Sequence, residues 1–184
     1  MDTFTEPRDL VDNAGYAAER RAAMAALEAG DPGDLDEPVR DIVGAFNLLP
    51  HCFTLQACHG HFLTAPDQDE HSMAAIPDGF EGPVRYRIAY VAFCVEGSDR
   101  GRALLQRLSG ITAVDPGYVQ FGSADWFWEQ WVNSYTLQVE PHAHRFRDQA
   151  VLAADEARHT ERVRDRFFGE LRRALADERA RLRA

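Results

Sequence analysis

The chain has 184 residues and carries a net charge of −10, and all 20 of its basic residues are arginine. With no lysine, Schiff-base chemistry and a P-loop of the usual kind are excluded, and the acidic total disfavours nonspecific nucleic-acid binding, which depends on neutralising phosphates. Its length suits one domain spanning 1–184, and the longest apolar run, Ile88–Val95, is far too short for the ~20 residues of a membrane-spanning helix.

In chain order, Tyr16–Ala29 reads as a helix with Tyr16, Ala23, Met24 and Leu27 near one face. Gly30 and Asp31-Pro32-Gly33 stop it, which makes residues 1–33 an N-terminal helical segment. An α/β core is expected over 34–141. It opens at Asp36-Glu37-Pro38, where acids and an early proline suit a helix start, and Val39, Ile42, Val43 and Phe46 then mark a buried face. Phe53–Cys58 is a short strand leading into a turn at Gly60. The prolines, glycines and acids of 65–83 make a loop, part of it mobile. Arg85–Glu96 is the strongest strand, apolar on both faces and therefore mid-sheet. Ser98 caps a helix that ends at Gly110, and Tyr118–Ser123 and Asn133–Glu140 are two more strands. From about Asp148 onward the pattern is one long helix, with Val163, Phe167, Leu171 and Leu175 recurring every four residues. The order gives an α/β or α+β fold: a small mixed sheet flanked by helices, with a long C-terminal helix over 148–184.

Three cysteines, Cys52, Cys58 and Cys94, suit reduced thiols rather than a disulfide framework. The N-terminus, Met-Asp-Thr-Phe-Thr-Glu-Pro-Arg, carries no apolar signal region, so the expectation is a cytoplasmic protein.

Chemistry concentrates at Cys58-His59-Gly60-His61, where a thiol and two imidazoles share one tight turn. Cys58, His59 and His61 are the candidate catalytic residues, with a histidine as proton donor or acceptor. A second cluster, Glu140-Pro-His142-Ala-His144, lies at the end of the last expected strand. Two His-x-His pairs brought together would let His59, His61, His142 and His144 hold zinc or a similar divalent ion, with Cys58 and Glu140 beside them. The other reading makes His142 and His144 loop histidines and Cys58 a small buried apolar residue. In Asp125–Trp131, Trp126 and Trp128 are placed to cover a flat ligand, or else to close the core or a subunit interface. The long C-terminal helix raises a further reading, self-association into a homo-oligomer.

Asp36-Glu-Pro before an apolar helix, then Asn47, Pro50 and Phe53-Thr-x-x-x-Cys-x-Gly, resembles the start of the tRNA wybutosine-synthesising methyltransferase family. That family carries Phe-Thr-Thr-Ser-Ser-Cys-Ser-Gly-Arg here. Phe53, Thr54, Cys58 and Gly60 match, while Leu55, Gln56, Ala57, His59 and His61 depart. The resemblance covers roughly 34–141. It implies the family's fold, S-adenosylmethionine as cofactor, Thr54 and Gly60 at the cofactor, and a nucleotide-like or other polar small-molecule ligand. It leaves the reaction open between methyltransferase-like and metal-assisted chemistry.

Overall fold

A computed structural model describes residues 4–30, 35–145 and 147–183. The Asp31-Pro32-Gly33 helix stop lies outside them. The described residues form two antiparallel sheets, five α-helices and short 3₁₀ turns, an α+β architecture. The ladders are antiparallel throughout the described residues, in two sheets rather than the single mixed sheet expected.

The five-stranded sheet has the order β1-β6-β7-β5-β2. Its strands are β1 (Phe4–Thr5), β2 (Cys52–Cys58), β5 (Ala89–Val95), β6 (Val119–Ala124) and β7 (Ser134–Val139). The smaller sheet joins β3 (His61–Leu63), β4 (Val84–Arg87) and β8 (Gln149–Leu152). Two expectations change here. The apolar run read as one strand crosses between sheets at Ile88, ending β4 and opening β5. Residues 149–152, read as the start of the last helix, form β8 instead, with alternating exposed and buried side chains paired to β4.

One face of the larger sheet is apolar. Ala89, Val91, Phe93 and Val95 of β5 and Leu137 and Val139 of β7 are fully buried there. Two helices supply the cover: α2 (Arg40–Asn47) buries Ile42 and Phe46, and α5 (Ala154–Arg181) buries Val163, Phe167, Phe168, Leu171 and Leu175. Their 3–4 residue spacing explains why they reach the sheet together. The α5 stripe is therefore committed to this chain's own core, so it is not a free surface for self-association. Helix α3 (Asp99–Ser109) starts where the sequence places it, with Ser98 Oγ accepting from the Gly101 N–H at 3.2 Å. Helix α1 (Tyr16–Ala29) packs across one end of the opposite sheet face, where Tyr16 meets Phe53 and Cys94. Between β6 and β7 the tryptophan-rich segment forms a short helix, α4 (Asp125–Gln130). Among the described residues, no helix is long and apolar enough to cross a membrane.

Candidate metal centre

Successive side chains of a strand point to opposite faces, so Cys58 and His59 at the end of β2 must diverge. The His59 ring stacks on Phe168 of α5 with centroids 5.2 Å apart. Burial is the main cause that lowers its pKa to about 4, with the Arg164 charge next. Gly60 then reverses the chain at φ +84°, and a Cβ at this position would lie 2.8 Å from the Ala89 Cβ. No residue with a side chain makes this turn without strain and collision. The reversal returns His61 to Cys58.

The result is a three-residue centre. His61 Nε2 lies 3.4 Å from Cys58 Sγ and 3.4 Å from Asp36 Oδ2. Asp36 stands just ahead of the 3₁₀ turn Glu37–Val39 that leads into α2. The three ligand atoms all fall within 4.8 Å of one another, and among the described residues this is the one such cluster of metal-ligand type. His61 is buried, while Cys58 and Asp36 are half-buried, so the centre sits at the edge of the sheet and not deep in the core.

Neighbouring groups fix each ligand. The Ser72 carbonyl lies 3.2 Å from His61 Nδ1. A carbonyl only accepts, so Nδ1 carries the hydrogen and Nε2 is the atom turned to Cys58 and Asp36. Backbone N–H groups of His59 and Gly60 donate to Asp36 Oδ2 at 2.7 Å and to Cys58 Sγ at 3.4 Å. Ser72 belongs to the 65–83 loop, whose first turn is organised over the centre. Gln68 donates to Ser72 Oγ at 3.0 Å and accepts from the Thr64 N–H at 2.9 Å. Without a metal, Asp36 and His61 stabilise each other's charged forms. Burial opposes ionisation of Asp36, but the hydrogen bonds from His61 and the His59 backbone outweigh it and hold the carboxyl at about 2. The bonds to Asp36 and then Cys58 raise His61 to about 10.

The other candidates lie elsewhere. His142 and His144 form a 3₁₀ turn after β7, with the His142 N–H on the Gly117 carbonyl at 3.0 Å and His144 Nε2 3.9 Å from Glu156 Oε1. Gly117 precedes β6, so this turn leans toward β6, while Cys58 sits two strands from β7 in the other direction, roughly 10 Å away. The four-histidine set is thus not assembled. Trp126 is 59% exposed, and Trp128 packs edge-on against Tyr135 beneath Arg8. Both belong to the Ser134 end of β7, whereas Cys58 is level with Gln138, roughly 13 Å along the strands. Thr54 exchanges bonds with Asn47, donating its N–H at 2.9 Å and accepting from Nδ2 at 3.0 Å. It braces β2 against α2. Asp36 is the member that spacing alone does not reveal, because it is 22 residues from Cys58 in the chain. Its one sequence signal is its place in the Asp-Glu-Pro element of the family resemblance.

Fold and centre define an α+β chain with a carboxylate, a thiol and an imidazole gathered on one glycine turn. No protein-family model matches the chain, and no curated protein does. Two solved structures of PH1069 protein from Pyrococcus horikoshii are similar over nearly the whole length. One has a TM-score of 0.51 at 14% identity, covering 90% of this chain and 95% of that one. The other has a TM-score of 0.53 at 13% identity, covering 94% and 98%. At that identity the likeness shows a shared fold.

Proposed function

We propose that this chain binds a divalent ion of the zinc class through Asp36 Oδ2, Cys58 Sγ and His61 Nε2 and acts on a polar small molecule beside it. The observation that carries this reading is the equal 3.4 Å spacing of Nε2 from sulfur and oxygen. Bond lengths of about 2.0–2.3 Å in a tetrahedral site give ligand-to-ligand edges of about 3.3–3.6 Å. The orientation of His61 supports the same reading, since metal-binding histidines commonly donate their second ring N–H to a carbonyl or carboxylate. Three protein ligands leave a fourth position open, as in catalytic zinc sites, where the ion polarises a substrate oxygen or acidifies a bound water. Elemental analysis of tag-free protein purified without chelators tests the reading. The expected result is near one equivalent of metal, lost in Cys58→Ala and His61→Ala and kept in a His142→Ala/His144→Ala double variant. Loss in the double variant with retention in Cys58→Ala would move the site.

A second reading, a divergent relative of the wybutosine-synthesising methyltransferases, has its own support. Asp36, Asn47, Thr54, Cys58 and Gly60, which carry the resemblance, are joined by the hydrogen bonds and the turn described above. On this reading S-adenosylmethionine binds saturably, and His61→Ala abolishes the binding in a folded protein. Calorimetric titration separates the two readings, because the metal reading requires no adenosylmethionine heat.

A further inference from the structure

Beyond the Phe53–Cys94 end that α1 covers, the second face of the five-stranded sheet carries polar rows, and its register ties them to Cys58. Directly paired residues of an antiparallel ladder share a face. Cys58 pairs with Tyr90, Tyr90 with Gln138, and Gln138 with Gln120, which makes one row across four strands. The next row runs Gln56, Ala92, Thr136, Gly122. Alanine and glycine flank Thr136 there, so this row is a low floor beside the taller row of Tyr90 and Gln138. Alternate residues of a strand stand about 7 Å apart, which is the width of a small flat ring. Toward β2 the floor ends at the exposed Gln56, which accepts from the Tyr90 hydroxyl at 3.0 Å.

Along this slot lie polar atoms with no hydrogen-bond partner among the described residues. Gln120 Oε1 and Thr136 Oγ1 are buried without a hydrogen-bond partner, and so is Ser134 Oγ, one step beyond on β7. Their residues are no more than 5% exposed. The Gln120 amide is held in one sense, since its Nε2 donates to the Glu140 carbonyl at 2.8 Å and to the Glu140 carboxylate at 3.2 Å. That leaves Oε1 in need of a donor. An orphaned buried polar atom carries its whole desolvation cost, and valine in place of Thr136 would remove it at equal volume. The slot is therefore matched to an occupant that brings an N–H to Gln120 and a polar atom to Thr136. No basic side chain stands in either row. The Glu140 carboxylate is already engaged by Gln138 Nε2 at 2.8 Å and the Arg147 N–H at 3.0 Å.

We propose that the Gln56–Gly122 row is a binding slot for a neutral, flat cyclic amide, held by Gln120 Oε1 and Thr136 Oγ1 with its outer end beside Cys58. This names the substrate class of the proposed metal centre and rests on that reading only for the direction the ligand faces. Ala92 is fully buried and Thr136 is 4% exposed, and Gln56 is the exposed end of the row.

Uracil and hydantoin are the probes, titrated at millimolar concentration into ¹⁵N-labelled full-length protein. Saturable shifts at the Gln120, Thr136 and Gln138 amides are expected. Thr136→Val should bind about tenfold more weakly, as expected for one lost hydrogen bond, while melting no lower than wild type and holding the same metal. The metal-free Cys58→Ala protein should still bind the probes, which separates failure of the slot from failure of the metal reading. Three results overturn the slot: no saturable shift with either probe, an affinity that Thr136→Val leaves unchanged, or a large fall in the melting temperature of that variant. A face filled by ordered water alone gives the first of these.

Discussion

Gly60 is where backbone geometry and chemistry meet. A Cβ there would strike both the Cβ and the N of Ala89, at 2.8 and 2.9 Å, in a left-handed conformation that side chains rarely adopt. Gly60→Ala should lower stability by about 3 kcal/mol, combining left-handed strain with steric overlap, and should abolish metal binding even where the protein still folds. Urea unfolding with metal analysis of the folded fraction checks both halves. Metal added at one hundred times its dissociation constant should stabilise wild type by about 2.7 kcal/mol, a melting shift of roughly 5–10 °C. Cys58→Ala should show no such shift in a thermal scan with and without zinc. Much of this centre was legible in the residues themselves, because a thiol and an imidazole on either side of a glycine need only a tight turn to meet. The carboxylate was not. Asp36 enters through tertiary packing, where the lead-in to the 3₁₀ turn Glu37–Val39 falls against the His59 backbone, and local spacing carries no record of that contact.

Among the elements, α5 shows what periodicity reveals and what it hides. Its four-residue apolar recurrence marked a buried stripe, and that stripe closes the main core. The same recurrence is equally consistent with packing on a second chain, and only the sheet beneath it decides. Phe167 is fully buried, and Phe167→Ala should cost about 3–5 kcal/mol by equilibrium denaturation. A truncation at residue 147 should yield an unfolded chain and not a folded monomer, which circular dichroism would show directly. The β8 strand was lost to the same helical signal. Four residues with alternating burial are too few to separate from the start of a helix until β4 supplies the partner ladder. The division of the 84–95 run into β4 and β5 was hidden for a related reason. Both halves are buried, and the change of sheet at Ile88 leaves no polar break in the sequence.

Across the whole molecule, charge is distributed so that buried ionisable groups depend on distant partners. His51, 1% exposed, lies 3.2 Å from Glu178 Oε1 of α5, and Arg107 of α3 bonds the same carboxylate. Burial lowers the His51 pKa. The carboxylates of Glu178 and Glu96 oppose that shift, and Arg100 and Arg107 add to it. The unfolded state therefore binds the His51 proton first as pH falls below about 6.5, so this residue's contribution favours folding above that pH and is lost below it. The stability difference between pH 7.5 and pH 5.5 should be smaller in His51→Gln than in wild type. Equal pH slopes in the two proteins would remove His51 from the account. On the same scale, the polar sheet face lies opposite the apolar one with Cys58 in its outer row, so the fold presents its thiol where a ligand on that face would reach it.

Cobalt(II) titration of the metal-free protein tests the Asp36–Cys58–His61 assignment most directly, because cobalt reports ligand type and geometry in one spectrum. Saturation at one equivalent is expected, with a thiolate-to-cobalt charge-transfer band and intense tetrahedral d–d bands, the charge-transfer band disappearing in Cys58→Ala. A spectrum of octahedral hexaaqua type, or a thiolate band that survives Cys58→Ala, would contradict the assignment.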